Sequence, residues 1–177
     1  MSSQSFELIP FNSQQSAIAI TGEVVREGDR LQLQYKLTGD TSAIELPELN
    51  ALPQRKDELW QHTCFEFFLG IEGEPVYWEF NLSPSGNWNI YRLSGYRQNL
   101  QLEAGYDALP FTVLVTDSLC MLNIELELSG IVTAAQSLNL SVTAVVEEQA
   151  GPISYWAIAH TGTEPDFHRR DSFTIQL

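Results

Sequence analysis

The sequence predicts an all-β fold, an antiparallel β-sandwich of two packed sheets, on three observations. Apolar and polar residues alternate with a period of two over most of the chain, as in half-buried strands. The two best helical stretches, 100–105 and 130–135, are too short to supply the crossovers of a parallel sheet. The length of 177 residues fits one domain, spanning 1–177, whose core needs no disulfide or structural metal.

The predicted strands follow one another along the chain. Residues 18–24 and 31–37 form a hairpin around the turn Glu27-Gly28-Asp29. Three consecutive antiparallel strands come next, and five further strands bring the expected total to nine or ten. These eight strands are expected at 65–71, 76–82, 88–90, 111–115, 120–128, 138–146, 155–160 and 173–177.

Charge and composition disfavour several classes of function. Nine Lys and Arg against 23 Asp and Glu give a net charge of −14, which repels phosphate backbones and anionic lipids, so nucleic-acid and membrane-surface roles are disfavoured. No apolar stretch approaches the ~20 residues of a membrane span, and the N-terminus lacks a signal-peptide pattern, so a cytoplasmic protein is expected. Cys64 and Cys120 are expected to be reduced and structural.

One face of the three central strands collects unusual polar residues. Alternation places on it two carboxylates, two amides and two phenols: Glu66, Glu79, Asn81, Asn89, Tyr77 and Tyr91. This mixture is typical of a sugar-reading surface. An ordinary solvated outer face of a sheet is an equally good interpretation of the pattern alone.

Two tryptophans lie outside the apolar stripes. Trp60 follows the longest connection, 41–59, a length at which loops are usually functional or disordered, and Trp156 shares its strand face with His160. Both are candidates for stacking on a flat ligand. Trp78 and Trp88 fall within apolar stripes and are expected in the core.

Catalytic and metal-binding motifs are weak, so an enzyme is not expected and no cofactor is predicted. His62, His160 and His168 lack the spacing of a zinc motif, and no nucleophile motif is present. Glu66 and Glu79 would form a glycosidase pair only if their carboxyls flanked a bond at ~5–10 Å, a distance that neighbouring strands also produce by accident.

Three ordered segments carry a family resemblance. RKDELWQHTCFEFF, YWEFNLSPSGNW and YWAIAH followed by PDFH begin at Arg55, Tyr77 and Tyr155. In combination they resemble the bacterial DOMON-like proteins, single domains related to family-nine carbohydrate-binding modules, over residues from about 55 to 173. The resemblance implies a jelly-roll-like β-sandwich.

The resemblance also implies a sugar site. In the sugar-binding relatives a tryptophan shortly before a glutamate and a second, late tryptophan clamp a glucose-type ring, and Trp60, Glu66 and Trp156 fit those places. An arginine of the relatives holds sugar hydroxyls, and Arg92 or Arg97 is the nearest candidate here. The calcium sites of the relatives have no motif that maps onto this chain.

Two other functions stay open at this stage. DOMON relatives of another branch bind haem through a methionine and a late histidine. His160 fits the late histidine, but Met121 falls in a central strand, which leaves only His62 as a substitute, so haem is predicted to be absent. A protein-interaction domain, with a partner protein that is unknown, is the third alternative.

The sequence therefore predicts a module that binds a small, sugar-like ligand without catalysis. Its expected site consists of Trp60, Glu66, Glu79, Asn81, Tyr91, Arg92 and Trp156, with His160 and His168 at the edge.

Overall fold

The structure, a computed structural model, describes residues 2–12, 17–149 and 151–177, and 51% of the chain lies in strands. The described residues form twelve strands: β1 (Ser2–Pro10), β2 (Ile18–Glu27), β3 (Arg30–Gly39), β4 (Cys64–Ile71), β5 (Tyr77–Leu82), β6 (Trp88–Leu93), β7 (Gln101–Leu102), β8 (Phe111–Thr116), β9 (Leu119–Glu127), β10 (Leu138–Glu147), β11 (Ile153–Ala157) and β12 (Ile175–Gln176). The only helical segments in these parts of the chain are short 3₁₀ turns: Thr41–Ala43, Leu59–Gln61 and Arg170–Ser172. The predicted all-β class is confirmed.

All strand pairings in the described residues are antiparallel, and they form one curled sheet. The hydrogen-bonded order is β7-β6-β5-β4-β10-β11-β1-β2-β3-β9-β8, with β12 paired to β10. Residues 2–8 of β1 pair with β2, whereas Ile9 and Pro10 pair with β11. Because β1 joins the two halves in this way, the strands follow one continuous hydrogen-bonded path.

The core lies between the two halves of this curled sheet. Tyr35 on β3 contacts the ring of Phe65 on β4, with the ring centroids 5.1 Å apart, and Phe67 stacks on Phe80. Trp78 and Trp88 are buried in the same cluster, as predicted. Since these side chains alternate along their strands, the face of β4, β5 and β6 that carries Glu66 points away from this core.

Strand β1 is not among the predicted strands, although its signal is present. Phe6 and Leu8 are buried and alternate with the exposed Ser5 and Glu7. The alternation covers only residues 5–8, too few for the pattern alone to predict the strand that joins the two halves of the sheet.

The two stretches with helical signals form no helix. Gln101–Leu102 pairs with β6 as the short strand β7. Residues 130–136 form turns, and the buried guanidinium of Arg26 donates hydrogen bonds to the carbonyls of Thr133, Gln136 and Leu177. A guanidinium has five N–H donors and can therefore bond several carbonyls at once. Here Arg26 connects the turns at 130–136 to the C-terminal residue Leu177.

The long connection 41–59 is fixed along the sheet rather than left loose. The Asn50 amide donates to the Ser85 carbonyl at 2.8 Å, and the Gln54 amide donates to Asn87 Oδ1 at 3.0 Å. The guanidinium of Arg55 lies 4.3 Å from the centroid of the Trp88 ring, in a cation–π contact. These contacts bring Trp60, at the end of the connection, to the strand face opposite the core.

Cys64 and Cys120 are free and buried, on β4 and β9. Burial raises the pKa of the Cys120 thiol to about 11, and the pKa of Cys64 is raised well above its usual value by burial and by the nearby Glu66. Neither thiol is therefore a thiolate near neutral pH. No helix in the described residues is long and apolar enough to cross a membrane.

The hydroxyl of Tyr35 links the two halves of the sheet because it donates a hydrogen bond to the backbone carbonyl of Glu66. Replacing Tyr35 with phenylalanine keeps the ring contacts and removes only this bond, so the free energy of unfolding is expected to fall by about 1 kcal/mol. Urea denaturation would measure the loss. An unchanged free energy of unfolding would show that the carbonyl is satisfied without Tyr35.

Candidate functional site

The polar face predicted from alternation is formed by β4, β5, β6 and β10. Glu66 pairs with Asn81 on β5 and with Thr143 on β10, and Glu79 pairs with Phe68 on β4 and with Tyr91 on β6. Directly paired residues point to the same side of a sheet, so these side chains share one face. The predicted grouping on a single face is confirmed.

This face is buried, which excludes the interpretation as an ordinary solvated outer face. Glu66 is 2% exposed and Glu79 is 5% exposed. The segments 57–62, 95–100 and 165–173 cover the face and add a second apolar cluster, in which Phe173 packs on Tyr77 and Phe68. Carboxylates are seldom buried without a specific reason, so this face is the candidate site.

A cavity of about 290 Å³ opens between these segments and the sheet. Two carboxyls line its floor, and aromatic, cationic and imidazole side chains line its walls. The lining residues are Trp60, Glu66, Phe68, Glu79, Arg97, Leu100, Val145, Tyr155, Pro165, Phe167 and His168. The volume lies at the lower end of the roughly 300–1,000 Å³ usual for small-molecule sites, so the cavity holds one ring-sized group.

The two carboxyls of the floor differ in their hydrogen bonds. Glu79 Oε1 accepts a bond of 2.9 Å from the amide of Asn81, which therefore supports the floor from below. Glu66 Oε2 accepts a bond of 3.3 Å from the Thr143 hydroxyl. Glu66 Oε1 is buried and has no hydrogen-bond partner among the described residues. A buried oxygen without a partner is destabilising, and a ligand donor would satisfy it.

The floor resists ionisation. Burial, and then the neighbouring Glu79, raises the pKa of Glu66 well above its usual value. Burial likewise raises the pKa of Glu79, although the Asn81 hydrogen bond and Arg97 act in the opposite direction. Two interacting carboxyls titrate as a pair, so their apparent pKa values describe the pair and not either residue alone.

His168 forms a neutral wall beside the floor. Burial, and then the charge of Arg97, lowers its pKa to about 4. The Tyr77 hydroxyl accepts from the Arg97 amide at 3.2 Å and lies 2.9 Å from His168 Nδ1. Tyr77 can donate its hydroxyl proton to Nδ1, and in that arrangement the neutral imidazole carries its proton on Nε2. Nε2 faces Glu79 Oε2 at 3.8 Å, too far for a direct hydrogen bond.

Trp60 lies in the 3₁₀ turn Leu59–Gln61, above the floor of the cavity, and the residue is 37% exposed. Its ring meets Tyr91 edge-to-face, with centroids 5.8 Å apart. Tyr91 donates to Asp57 Oδ1 at 2.8 Å, and Asn89 donates to the same oxygen at 2.9 Å. Tyr91 and Asn89, members of the predicted polar face, thus hold the tryptophan segment in place.

Arg97 forms the rim of the cavity. Its guanidinium donates to Asp166 Oδ1 at 2.9 Å, and the Tyr96 hydroxyl donates to the other oxygen of Asp166 at 2.6 Å. The non-glycine residues with left-handed backbone in the described chain are Glu58, Arg97 and Asn99, with φ of 60°, 52° and 50°. All three lie in the two segments that flank the cavity, and backbone strain of this kind concentrates at functional sites.

The structure does not bring Trp156 to Trp60. Trp156 is 3% exposed, belongs to the core cluster, and donates its indole N–H to Ser154. Tyr155, its neighbour on β11, points to the opposite face and lines the cavity. The structure therefore does not place Trp156 in the cavity lining, whereas Trp60 and Tyr155 both line the cavity.

Four other predicted positions do not line the cavity: Arg92, His160, Asn81 and Tyr91, of which Tyr91 contacts Trp60 from the sheet. Arg92 is exposed near the end of β6, on the strand face that Trp88 and Ile90 occupy, and Arg97 is the arginine of the site. His160 lies 2.8 Å from the Ile9 carbonyl and packs on Phe11. Asn81 is fully buried beneath Glu79. Glu66, Glu79, Trp60 and His168 are the predicted residues that line the cavity.

Sequence reasoning missed Phe68, Tyr155 and Phe167 as lining residues. The parity of Phe68 with Glu66, and of Tyr155 with Ala157, was visible in the sequence. Phe167 lies in the segment after β11, and nothing local indicates where that segment folds.

The described residues contain no group of three or more His, Cys, Asp or Glu side chains placed to hold a metal ion. Met121 lies on β9, paired with Lys36 and Leu114 in the other half of the sheet. His160 is on the segment after β11 and is bonded to the backbone of β1. The methionine and histidine of the haem alternative are thus held in separate elements.

Comparison with solved structures shows what this architecture resembles. A candidate carbohydrate-binding protein from Bacteroides uniformis superposes with a TM-score of 0.74 at 12% identity, covering 98% of this chain and 84% of that chain. A carbohydrate-binding module of family nine from Caldicellulosiruptor kristjanssonii, solved with glucose, gives a TM-score of 0.52 at 14% identity, with 93% and 78% covered. Its structure with cellotriose gives 0.50 at 11% identity, with 89% and 75% covered.

No protein-family model matches the sequence, and no curated protein matches it. At identities of 11 to 14% the structural likeness defines the fold, and the chain shares the fold of these carbohydrate-binding modules. Function has to be argued from the cavity itself.

Replacing Glu66 with glutamine is expected to stabilise the protein, and increasingly so as the pH rises above the usual carboxyl range. A carboxyl whose folded-state pKa is raised favours folding in its protonated form, and this contribution is lost as pH rises from the unfolded pKa through the folded one. The stability difference between the variant and the wild type should grow by up to about 1.4 kcal/mol per pH unit in that window. Denaturation at several pH values would measure it.

The matched control is Glu72→Gln, which removes a carboxyl from an exposed turn position outside the cavity. A destabilised Glu66→Gln variant at every pH would show that the ionised carboxylate is compensated in the folded protein.

Proposed function

We propose that this chain is a module that binds one ring of a sugar or glycan fragment in the cavity beneath Trp60, without catalysis. The observation that carries the proposal is the cavity itself, in which a floor of buried carboxyls lies under partly exposed aromatic walls. Sugar rings have apolar faces that stack on aromatic side chains and hydroxyls that donate to carboxylates. The shared fold of modules solved with glucose and cellotriose supports this choice of ligand.

Each wall has a role in the proposed complex. Trp60 and Tyr155 offer ring faces, whereas Glu66 and Glu79 accept hydrogen bonds from hydroxyls. His168 Nε2 and the Arg97 guanidinium add donors at the side and the rim. With about 290 Å³ available, only one ring enters, and a longer glycan would extend past the exposed Arg97 rim.

We propose binding rather than hydrolysis because of where the two carboxyls lie. Glu66 and Glu79 stand on adjacent strands of one floor, so both approach a bound ring from the same side. A glycosidase pair flanks the scissile bond, with one group protonating the leaving oxygen and the other acting across the sugar. Glu79 Oε1 is in addition occupied by Asn81.

The finer relation is also a proposal. Segments starting at Arg55, Tyr77 and Tyr155 resemble DOMON-like proteins, and they supply Trp60, Glu66, Glu79 and the lining residue Tyr155. We propose that the chain is a DOMON-like domain with a jelly-roll-like sandwich, related to family-nine modules.

Trp60→Ala is expected to lower the affinity for glucose or cellobiose about tenfold or more, because stacking on an aromatic side chain contributes roughly 1–3 kcal/mol. Its free energy of unfolding should change little, since the ring is partly exposed. Isothermal titration calorimetry of both sugars, with denaturation of the same samples, would measure the two effects.

Trp156→Ala is the matched control, and it should show the opposite pattern. Removing this core indole is expected to destabilise the protein by about 3–5 kcal/mol while leaving the affinity of the folded fraction nearly unchanged. The proposal fails if neither sugar binds the wild type, or if Trp156→Ala lowers affinity as much as Trp60→Ala does.

Variants of the two arginines are expected to differ in sugar affinity, measured by the same calorimetry. Arg97→Ala should weaken binding severalfold because it removes a hydrogen-bond donor at the rim. It also removes the ion pair to Asp166, whose carboxylate accepts the backbone amide of His168 in the segment 165–173. Arg92→Ala, on the exposed opposite face, should bind as the wild type does. Equal losses in both variants would contradict the assignment of Arg97 to the site.

A further inference from the structure

The charges in the cavity are unbalanced. Glu66 and Glu79 are both more than nine-tenths buried on the floor. Arg97 is the one cationic side chain among the described lining residues, and it lies at the rim in an ion pair with Asp166. His168, the other wall group that can carry a positive charge, is neutral at pH 7 because burial lowers its pKa to about 4. The floor therefore has no buried positive charge of its own.

One oxygen of this floor has no hydrogen-bond partner. Glu66 Oε1 is buried, and the Glu66 side chain lines the cavity. Thr143 bonds the other oxygen, Tyr35 bonds the backbone carbonyl, and the neighbouring Cys64 thiol is only a weak donor toward the carboxyl. A buried acceptor of this kind is satisfied when a donor enters the cavity, and a charged donor makes the stronger bond.

The walls suit a cation as well. Trp60 and Tyr155 present partly exposed rings, and Phe68 lines the cavity next to Glu66 on the same strand face. Aromatic faces attract ammonium groups, most strongly where water is excluded. Carboxylates below and aromatic rings around are together the surroundings that an ammonium group prefers.

We propose that the ligand of this site is an amino sugar, a ring that carries a protonated amine, and that its ammonium group pairs with the carboxyls of Glu66 and Glu79. This inference rests on the proposed function and narrows it. A neutral sugar leaves the floor either protonated or uncompensated, whereas an ammonium group supplies the missing charge and the missing donor.

The titration behaviour of the floor agrees with this assignment. Burial raises the pKa of both carboxyls, and the neighbouring Glu79 raises the pKa of Glu66 further. A cation within contact distance of the pair acts against both causes. Arg97 acts on Glu79 from the rim, where its charge is already paired with Asp166. The other titratable groups that face the pair carry no positive charge at neutral pH: Tyr35 and Cys64 beside Glu66, and Tyr77 and His168 beside Glu79.

The test compares glucose with its 2-amino, 3-amino and 6-amino deoxy derivatives by calorimetry at neutral pH. At least one amino derivative is expected to bind at least tenfold more tightly than glucose. Glu66→Gln, which keeps the shape of the side chain, should reduce the affinity for that derivative at least tenfold more than the affinity for glucose. Glu79→Gln is the second variant with the same expectation, and Glu72→Gln, at an exposed turn, is the matched control that should keep the full preference.

Three results would overturn the inference, and they are distinguishable. If glucose binds and no amino derivative binds more tightly, the amine is wrong and the proposed function stands. If none of the four sugars binds, the proposed function and this inference both fail. If calcium chloride alone raises the melting temperature of the wild type and Glu66→Gln abolishes that rise, the floor holds a metal ion instead.

Discussion

The burial of Glu66 is the constraint on which the site depends. Its backbone carbonyl accepts the Tyr35 hydroxyl from the facing half of the sheet, while its carboxyl lines the cavity on the other side of the same strand. The floor of the cavity is therefore part of the core sheet and cannot shift without disturbing core packing. Burying a carboxyl destabilises the folded state unless partners compensate it, and Thr143 compensates only one oxygen. The other oxygen, Oε1, has no hydrogen-bond partner among the described residues and is free to accept a bond from a ligand.

The rim follows a different physical principle, because it is made of segments rather than strands. The connection 41–59 is held by Arg55 and by backbone bonds to the turn before β6, and it ends at Trp60. Across the cavity, Asp166 holds Arg97 and Tyr96, so the second segment is fixed by an ion pair and a short hydrogen bond. Left-handed backbone at Glu58 and Arg97 persists because these side-chain contacts determine the loop conformation. A rigid floor with separately anchored walls is how binding sites are preorganised.

Alternation in the sequence predicted which residues share a face, and long-range packing decided the rest. Glu66 and Glu79 were assigned correctly because pairing in an antiparallel sheet follows from a period of two. Whether that face is wet or covered depends on Phe167 and Phe173, about 100 residues away along the chain, and no local pattern reports it. The same limit explains Trp156, because parity separated it from Tyr155 without showing which of the two faces packs on the core. Arg97 lines the cavity and Arg92 does not, because a turn at 94–98 changes the direction of the chain between them. Alternation within strands does not predict such a turn.

The overall charge of the protein acts in the same direction as the cavity floor. A net charge of −14 creates a negative potential around the molecule, which draws cations toward it and repels anions, most strongly at low ionic strength. A neutral sugar gains nothing from that field, and an anionic sugar would be opposed both by the field and by Glu66 and Glu79. A sugar with an ammonium group gains from both, first in its encounter with the protein and then in the desolvated contact with the carboxyls. Surface and site thus favour the same ligand charge, although the fold alone, shared with modules at 11 to 14% identity, favours none.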